Sequence, residues 1–222
     1  MKKSIYINLK KSSAQMEVEE LCSLLMKRSD IRTIALIGYL NGLWLTNNSM
    51  NQIWNELYNI VKLAGKNIHF FIDQQTSDEM RKDARTALLM NSTNVVIHIV
   101  GDWKKWSPGE LGMKFDAIVA NPPYCAGLHL KILQDLMPLS DNIVCIHPAS
   151  WLQFPTRQRP AFMNGRIGDF QIIDRKDANE MFGINAGDIV ISTFVAQGSS
   201  FQGSPVTDPQ FCCFKFNSRF DF

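Results

Sequence analysis

Residues 115–127 read FDAIVANPPYCAG, an apolar run (Ala117 to Ala120) that meets Asn121, two prolines and Tyr124. A proline has no N–H to give to a strand ladder, and its ring fixes φ. Pro123 also drives Pro122 out of the helical region, so the chain is held extended just beyond a strand end. The Asn121 side-chain oxygen and the Pro122 carbonyl are then two hydrogen-bond acceptors at a fixed angle, and Tyr124 offers an aromatic face. This set suits a planar amino or amide nitrogen: both N–H groups can be held while the group is kept flat against a ring.

The elements that must position these residues alternate along the chain. Val18, Leu21, Cys22 and Leu25 share one face of a helix over about 14–28. TIALIG (33–38) is a strand ending at a glycine. Met50, Ile53, Trp54, Leu57, Ile60, Val61 and Ala64 recur at helical spacing, and Gly65 ends that helix. IHFFID (68–73) is a buried strand closed by an acid. SDEMRKDARTALL is a helix with Ser77 as its cap and Asp78 and Glu79 in the first turn.

Further strands are VVIHIVGD (95–102), FDAIVA (115–120), NIVCIHP (142–148), FQIID (170–174) and DIVISTFVA (188–196), with LHLKILQDLM (128–137) helical. The expectation is an α/β, Rossmann-like, mostly parallel seven-stranded sheet with helices on both faces and an antiparallel edge strand. Residues 1–30 form an N-terminal segment with a helix, 31–197 one domain, and 198–222 a loop and tail. Ligands of such sheets lie beyond the carboxyl ends of the strands. There Gly38, Asp73, Asp102 and Asn121 fall together.

At 222 residues and 45% apolar content the chain can bury a full core as one domain. A net charge of +2 neither announces nor excludes a nucleic-acid partner. No stretch approaches the roughly 20 apolar residues of a membrane span, and IYINL is too short for the core of a signal peptide. A cytoplasmic protein is expected. Cys22, Cys125, Cys145, Cys212 and Cys213 lack CxxC spacing, so reduced thiols and no metal site are expected.

With this order in place, the sequence resembles the class I S-adenosylmethionine-dependent methyltransferases of the NPPY amino-group type, over roughly residues 33–196. FDAIVANPPY carries the resemblance, preceded by IVGDWKKW and followed by LHLKIL and IVCIHPASWL. The adenine-N6 DNA methyltransferases of restriction-modification systems and phages arrange their segments this way. The resemblance makes Asn121, Pro122, Pro123 and Tyr124 catalytic, holding the exocyclic amino group of a flipped adenine with Tyr124 stacked on its ring. It makes S-adenosyl-L-methionine the cofactor, with Asp73 on the ribose hydroxyls, Asp102 on the cofactor's adenine amino group and Trp103 stacked on that adenine.

The family's glycine-rich first turn would correspond to ALIGYLNG, where Gly38 and Gly42 stand four apart with Tyr39 and Leu40 between them. This departs from the usual GxG spacing. His147, at the end of the fifth strand, and Trp151 are placed beside the substrate cleft. Phe182 stands where related enzymes pack an aromatic on the flipped base. Lys104, Lys105, Arg157, Arg159, Arg166, Arg175 and Lys176 fall in loops on the same side, suited to phosphates.

The function implied is methyl transfer to adenine N6 in DNA, a nucleic-acid partner with DNA favoured over RNA. Protein glutamine N5 and RNA adenine are the alternative targets, and a non-catalytic methyltransferase-like subunit is the alternative of another class. The glutamine enzymes usually carry a helical N-terminal domain, and roughly 30 residues precede TIALIG. About 26 residues follow Ala196, where related DNA enzymes place a recognition region, so a catalytic fragment, a recognition partner, or a short or structured target is expected.

Overall fold

The computed structural model describes residues 28–38, 65–82, 84–148, 166–173, 175–176 and 189–195. The helices expected over 14–28 and 50–64 lie outside these residues. Strand β1 (Thr33–Gly38) pairs in parallel with β2 (Asn67–Ile72) on one side and with β4 (Ala117–Asn121) on the other. Beyond β2 lies β3 (Val95–Ile99), and beyond β4 lies β5 (Asn142–Pro148), both again parallel. These five strands are short, and β1, β2, β4 and β5 read as nearly unbroken apolar runs. That is the pattern of strands covered on both faces, and every residue of β4 is buried.

The sheet continues through β6 (Ile167–Ile173) and β7 (Ile189–Val195) in the order β3-β2-β1-β4-β5-β7-β6. The reversed strand is not at the edge, as the sequence had suggested. β7 runs antiparallel between β5 and β6, and β6 forms the edge in the direction of the parallel strands. A reversed strand needs no crossover to sit beside β5, so it can enter between two strands already aligned.

Helices α1 (Gln74–Lys82) and α2 (Ala84–Met90) connect β2 to β3. The first begins three residues ahead of the expected cap. Asp73 Oδ1 accepts the Thr76 N–H at 2.7 Å, and Ser77, the expected cap, lies buried inside the helix. A carboxylate at that distance satisfies an orphan N–H of the first turn and decides where the helix starts. Helix α3 (Leu128–Leu136) follows β4 and buries Leu128, Ile132, Leu133 and Leu136. These pack in one cluster with Ala35, Ile37, Phe71, Ile118, Ala120, Ile143 and Cys145 from the sheet.

The amino ends of the strands are tied by side chains bonded to backbone. Asp116 Oδ2 accepts the N–H groups of Arg32 and Thr33 at 2.8 and 2.9 Å, joining the starts of β1 and β4. The buried Lys66 ammonium donates to the carbonyls of Arg28 and Ile31. Arg166, expected in a phosphate-facing loop, is instead buried and donates to the carbonyls of Met137 and Ser140. Its planar fork suits two adjacent carbonyls at a helix end.

At the opposite ends Gly38 and Asn121 are register partners. Gly38 has φ +91, and a β-carbon there would stand 2.0 Å from the Asn121 carbonyl oxygen. A Gly38→Ala chain therefore faces both a disfavoured φ and a backbone clash. We expect it to be destabilised by about 3 kcal/mol or more, read as a lower urea midpoint at unchanged slope. A midpoint like the wild type's would show that this backbone approach does not require glycine.

Candidate functional site

From β1 the chain passes to β2 and β3 on one side, and from β3 it crosses back to β4 on the other side of β1. The crevice between the carboxyl ends of β1 and β4 is thus the place where the topology reverses, where open α/β sheets hold their ligands. Asn121 is the last residue of β4 and stands at this crevice, one position further into the strand than FDAIVA alone implies. Because Gly38 has no side chain, the Asn121 carbonyl and Pro122 Cα come directly against it.

The Asn121 side chain is buried, and its Oδ1 accepts the Tyr124 hydroxyl at 2.7 Å. Pro122 is buried, while Pro123 and Tyr124 are half-buried. Burial, and then the neighbouring Cys145, push the phenol's pKa well above its ordinary value, so it keeps its proton. The prolines fix φ at two successive positions, and the hydroxyl fixes the amide plane. After Tyr124 the chain turns through Ala126 at φ +47 and Gly127 at φ +76 into α3. Two consecutive left-handed residues bring the start of that helix back beneath the motif.

This return places His129, which the sequence reading did not single out, next to Tyr124. Their ring centroids are 6.0 Å apart at 82°. His129 is 5% exposed, and its imidazole lies within hydrogen-bonding range of the Tyr124 backbone. His147 lies behind it at 6.1 Å, fully buried, with Nε2 sharing a 2.5 Å hydrogen bond with Ser192 Oγ of β7. Expected beside the cleft, His147 is instead one layer below Tyr124, with His129 between them. In the sequence His129 belongs to the helix LHLKILQDLM, whose periodicity carries no sign of a polar contact. Its position a few residues after NPPY was the available signal.

Asp73 and Asp102 follow β2 and β3 at the same edge of the sheet. Asp73 Oδ1 caps α1, and among the described residues its Oδ2 has no partner. Asp102 Oδ1 accepts the Lys104 N–H at 2.9 Å, and its Oδ2 lies 3.8 Å from the exposed Lys105 ammonium. Both carboxylates thus shape local backbone, yet each retains acceptor capacity, since a carboxylate offers about four lone-pair sites. Trp103 packs edge-on against Trp106 with centroids 5.2 Å apart, and among the described residues its buried Nε1 has no partner. The chemistry of this set fits a nucleoside: carboxylates accept from a ribose diol or an amino group, and an indole beside Asp102 offers an aromatic face.

Lys104 and Lys105 are exposed on the loop after β3, and Arg175 and Lys176 are exposed after β6. Gly42, Trp151, Phe182, Arg157 and Arg159 lie outside the described residues. Among the described residues, no group of three or more His, Cys, Asp or Glu side chains could hold a metal ion, and no helix is long and apolar enough to cross a membrane. Cys145 is buried and Cys125 exposed, both as free thiols.

No family model and no curated protein matches the chain. Among solved structures, the methyltransferase subunit of a type I restriction-modification system from Streptococcus thermophilus aligns with a TM-score of 0.55 at 11% identity. The alignment covers 85% of this chain and 45% of that one, so this chain spans less than half of that subunit. An rRNA methylase from Streptococcus thermophilus aligns at 0.46 and 10% identity, over 85% of this chain and 99% of that one. TrmN from Thermus thermophilus aligns at 0.46 and 13%, over 80% and 49%. The first alignment gives this chain the α/β Rossmann-like fold of a methyltransferase.

All four histidines have pKa values below the ordinary one, with burial the largest cause in each. For His98 the charge of His69 adds to burial, and for His147, lowered to about 3, that of His129. The unfolded chain protonates its imidazoles near pH 6.5, while the folded chain resists. As pH falls below about 6.5 the unfolded state binds more protons, so stability must fall, and the loss due to His147 continues toward pH 3. The urea midpoint should therefore be lower at pH 5 than at pH 8. An unchanged midpoint would contradict the burial of these rings.

Proposed function

We propose that this chain is an S-adenosyl-L-methionine-dependent methyltransferase that methylates the N6 amino group of adenine in DNA. The observation that carries the reading is the placement of Asn121, Pro122 and Tyr124 at the reversal crevice, with the amide held by a 2.7 Å hydrogen bond. Asp73 and Asp102, at the ends of the two strands on the other side of β1, are the residues that would hold the cofactor's ribose and adenine. By the resemblance, Gly38 and Gly42 would approach its methionine end, and Trp103 would stack on its adenine. Bound S-adenosylmethionine supplies an electrophilic methyl group on sulfur.

The chemistry required of the chain is modest in kind and strict in geometry. The exocyclic nitrogen of adenine is a weak nucleophile because its lone pair is drawn into the ring. Asn121 Oδ1 and the Pro122 carbonyl accept its two N–H groups and turn the lone pair out of the ring plane. Neither acceptor has to reorganise, because proline sets one and the Tyr124 hydroxyl sets the other. The amide oxygen has two lone-pair directions, so it can hold the phenol and an amino N–H together.

No strong base is needed, because the methylated nitrogen is acidic while it still carries its extra proton and gives it to water. Stacking on Tyr124 is worth about 1–3 kcal/mol per base, comparable to the few kcal/mol needed to extrude a base from a duplex. Lys104 and Lys105, exposed on the loop after β3, are suited to the phosphates of that strand. Trp151 and Phe182 are assigned to the flipped base. A partner chain that reads base edges would be one source of sequence selection.

Methyl-labelled cofactor incubated with DNA, RNA and protein extract, followed by nucleoside and amino-acid analysis, tests the reading directly. Label is expected in N6-methyladenine of DNA. Asn121→Ala should lower kcat by about 10²–10³ and leave cofactor binding by calorimetry nearly unchanged. Label in RNA or in glutamine would move the assignment to that substrate. Absence of cofactor binding at millimolar concentration would favour a non-catalytic subunit.

A further inference from the structure

The sheet has two edges, and the chain finishes them differently. At one edge β6 contains Asp169, and its register with β7 shifts between Ile167 and Phe170. A charge and a bulge are common means of keeping an edge strand from pairing with another chain. At the other edge β3 has neither. Residues 91–101 read NSTNVVIHIVG, without a Lys, Arg, Asp, Glu or Pro, and the register with β2 runs unbroken from Val95 to Ile99. Val96 is 41% and Ile99 45% exposed, and Leu88, on the helix that leads into β3, is 74% exposed.

The phase of the ladder decides which backbone groups of β3 are free. The Ile68 N–H donates to the Asn94 carbonyl and the Val100 N–H to the Ile72 carbonyl, both at 2.8 Å. Backbone groups alternate in direction along a strand, so Val96 and His98 also point to β2, while Val95, Ile97 and Ile99 point outward. The Val95 N–H is taken by the Ser92 carbonyl at 3.0 Å. Among the described residues, the Val95 carbonyl and both backbone groups of Ile97 and Ile99 then face outward without a backbone partner. This set is its own complement. About a two-fold axis at Ile97, a second β3 runs antiparallel and exchanges two hydrogen bonds between the Ile97 residues. Each Ile99 N–H then meets a Val95 carbonyl, and Val96 lies opposite His98, so no like charges come together.

We propose that β3 is the surface through which two copies of this chain pair, edge to edge, into one continuous sheet. A strand added here must be apolar, uncharged and matched in phase, and β3 itself meets all three conditions. The copies run in opposite directions, so their two crevices open to opposite sides. Five residues a side make a small contact, for which a Kd of the order of 10–100 µM is expected.

Sedimentation equilibrium of the whole chain from about 1 to 500 µM, with amide hydrogen exchange over the same range, tests this. The expected result is a monomer that becomes a dimer, with exchange at Ile97 and Ile99 slowing as it forms. Exchange at Val96 and His98, already bonded to β2, should not change. Val96→Lys and Ile99→Lys should each raise the Kd about tenfold or more, by burying an unpaired charge. Should those variants fold poorly, the wild-type exchange decides. A chain still monomeric at the highest concentration overturns the proposal, as does a dimer whose Ile97 and Ile99 amides exchange as in the monomer. Assembly beyond a dimer overturns it too, because a two-fold pair is closed. Protection of those amides at every concentration would place another segment of the chain on this edge, and would equally overturn it.

Discussion

The structure of this chain turns on the contact between Gly38 and the backbone of Asn121. Two parallel strands bring their last residues into register, and the second continues as Pro-Pro rather than as a helix. There is room for that continuation only because the first strand ends without a side chain. With a β-carbon at Gly38 the Asn121 carbonyl would have to move, and with it Pro122, the amide plane and Tyr124. A missing methyl group at the end of β1 thus sets the position of a motif far away in sequence. The glycine assigned from the resemblance to a cofactor turn has another task in the fold, which is to admit the backbone of Asn121 and Pro122.

The two ends of the sheet are finished by opposite rules. At the amino ends, Asp116, Lys66 and Arg166 spend their charges on backbone groups that would otherwise be orphans. These bonds join β1, β4 and the end of α3, and they leave little polar capacity over. At the carboxyl ends, capacity is kept back among the described residues: one oxygen of Asp73 and the Trp103 N–H. A fold can carry such unsatisfied groups because the other end is so thoroughly tied.

Much of this was legible in the sequence, for reasons that are local. β1, β2, β4 and β5 are apolar runs because strands covered on both faces have no polar side to show. NPPY declares itself because two prolines after a strand admit few backbone shapes. What escaped was whatever depends on contacts between distant segments. His129 looks like an ordinary helix position until Tyr124 and His147 are seen on either side of it. Arg166 reads as a loop cation until the carbonyls of Met137 and Ser140 come within its reach. The cap of α1 was assigned to Ser77 because the acidic residues after it resemble a first turn, whereas Asp73, one residue beyond β2, takes the N–H of Thr76. The reversed strand was foreseen but set at the edge, since order within a sheet is not written in the spacing of its strands.

That order also bears on how the chain is made. β6 touches the rest of the sheet only through β7, and β7 is the later of the two in the sequence. A ribosome delivers β1 to β5 first, and these five can pair as they emerge. β6 must then wait, edge unpaired, until the strand that separates it from β5 arrives. The same later strand carries Ser192, the partner of His147, so the polar layer beneath Tyr124 closes only once β7 has been made. The crevice can take shape early, but the floor under it is finished last.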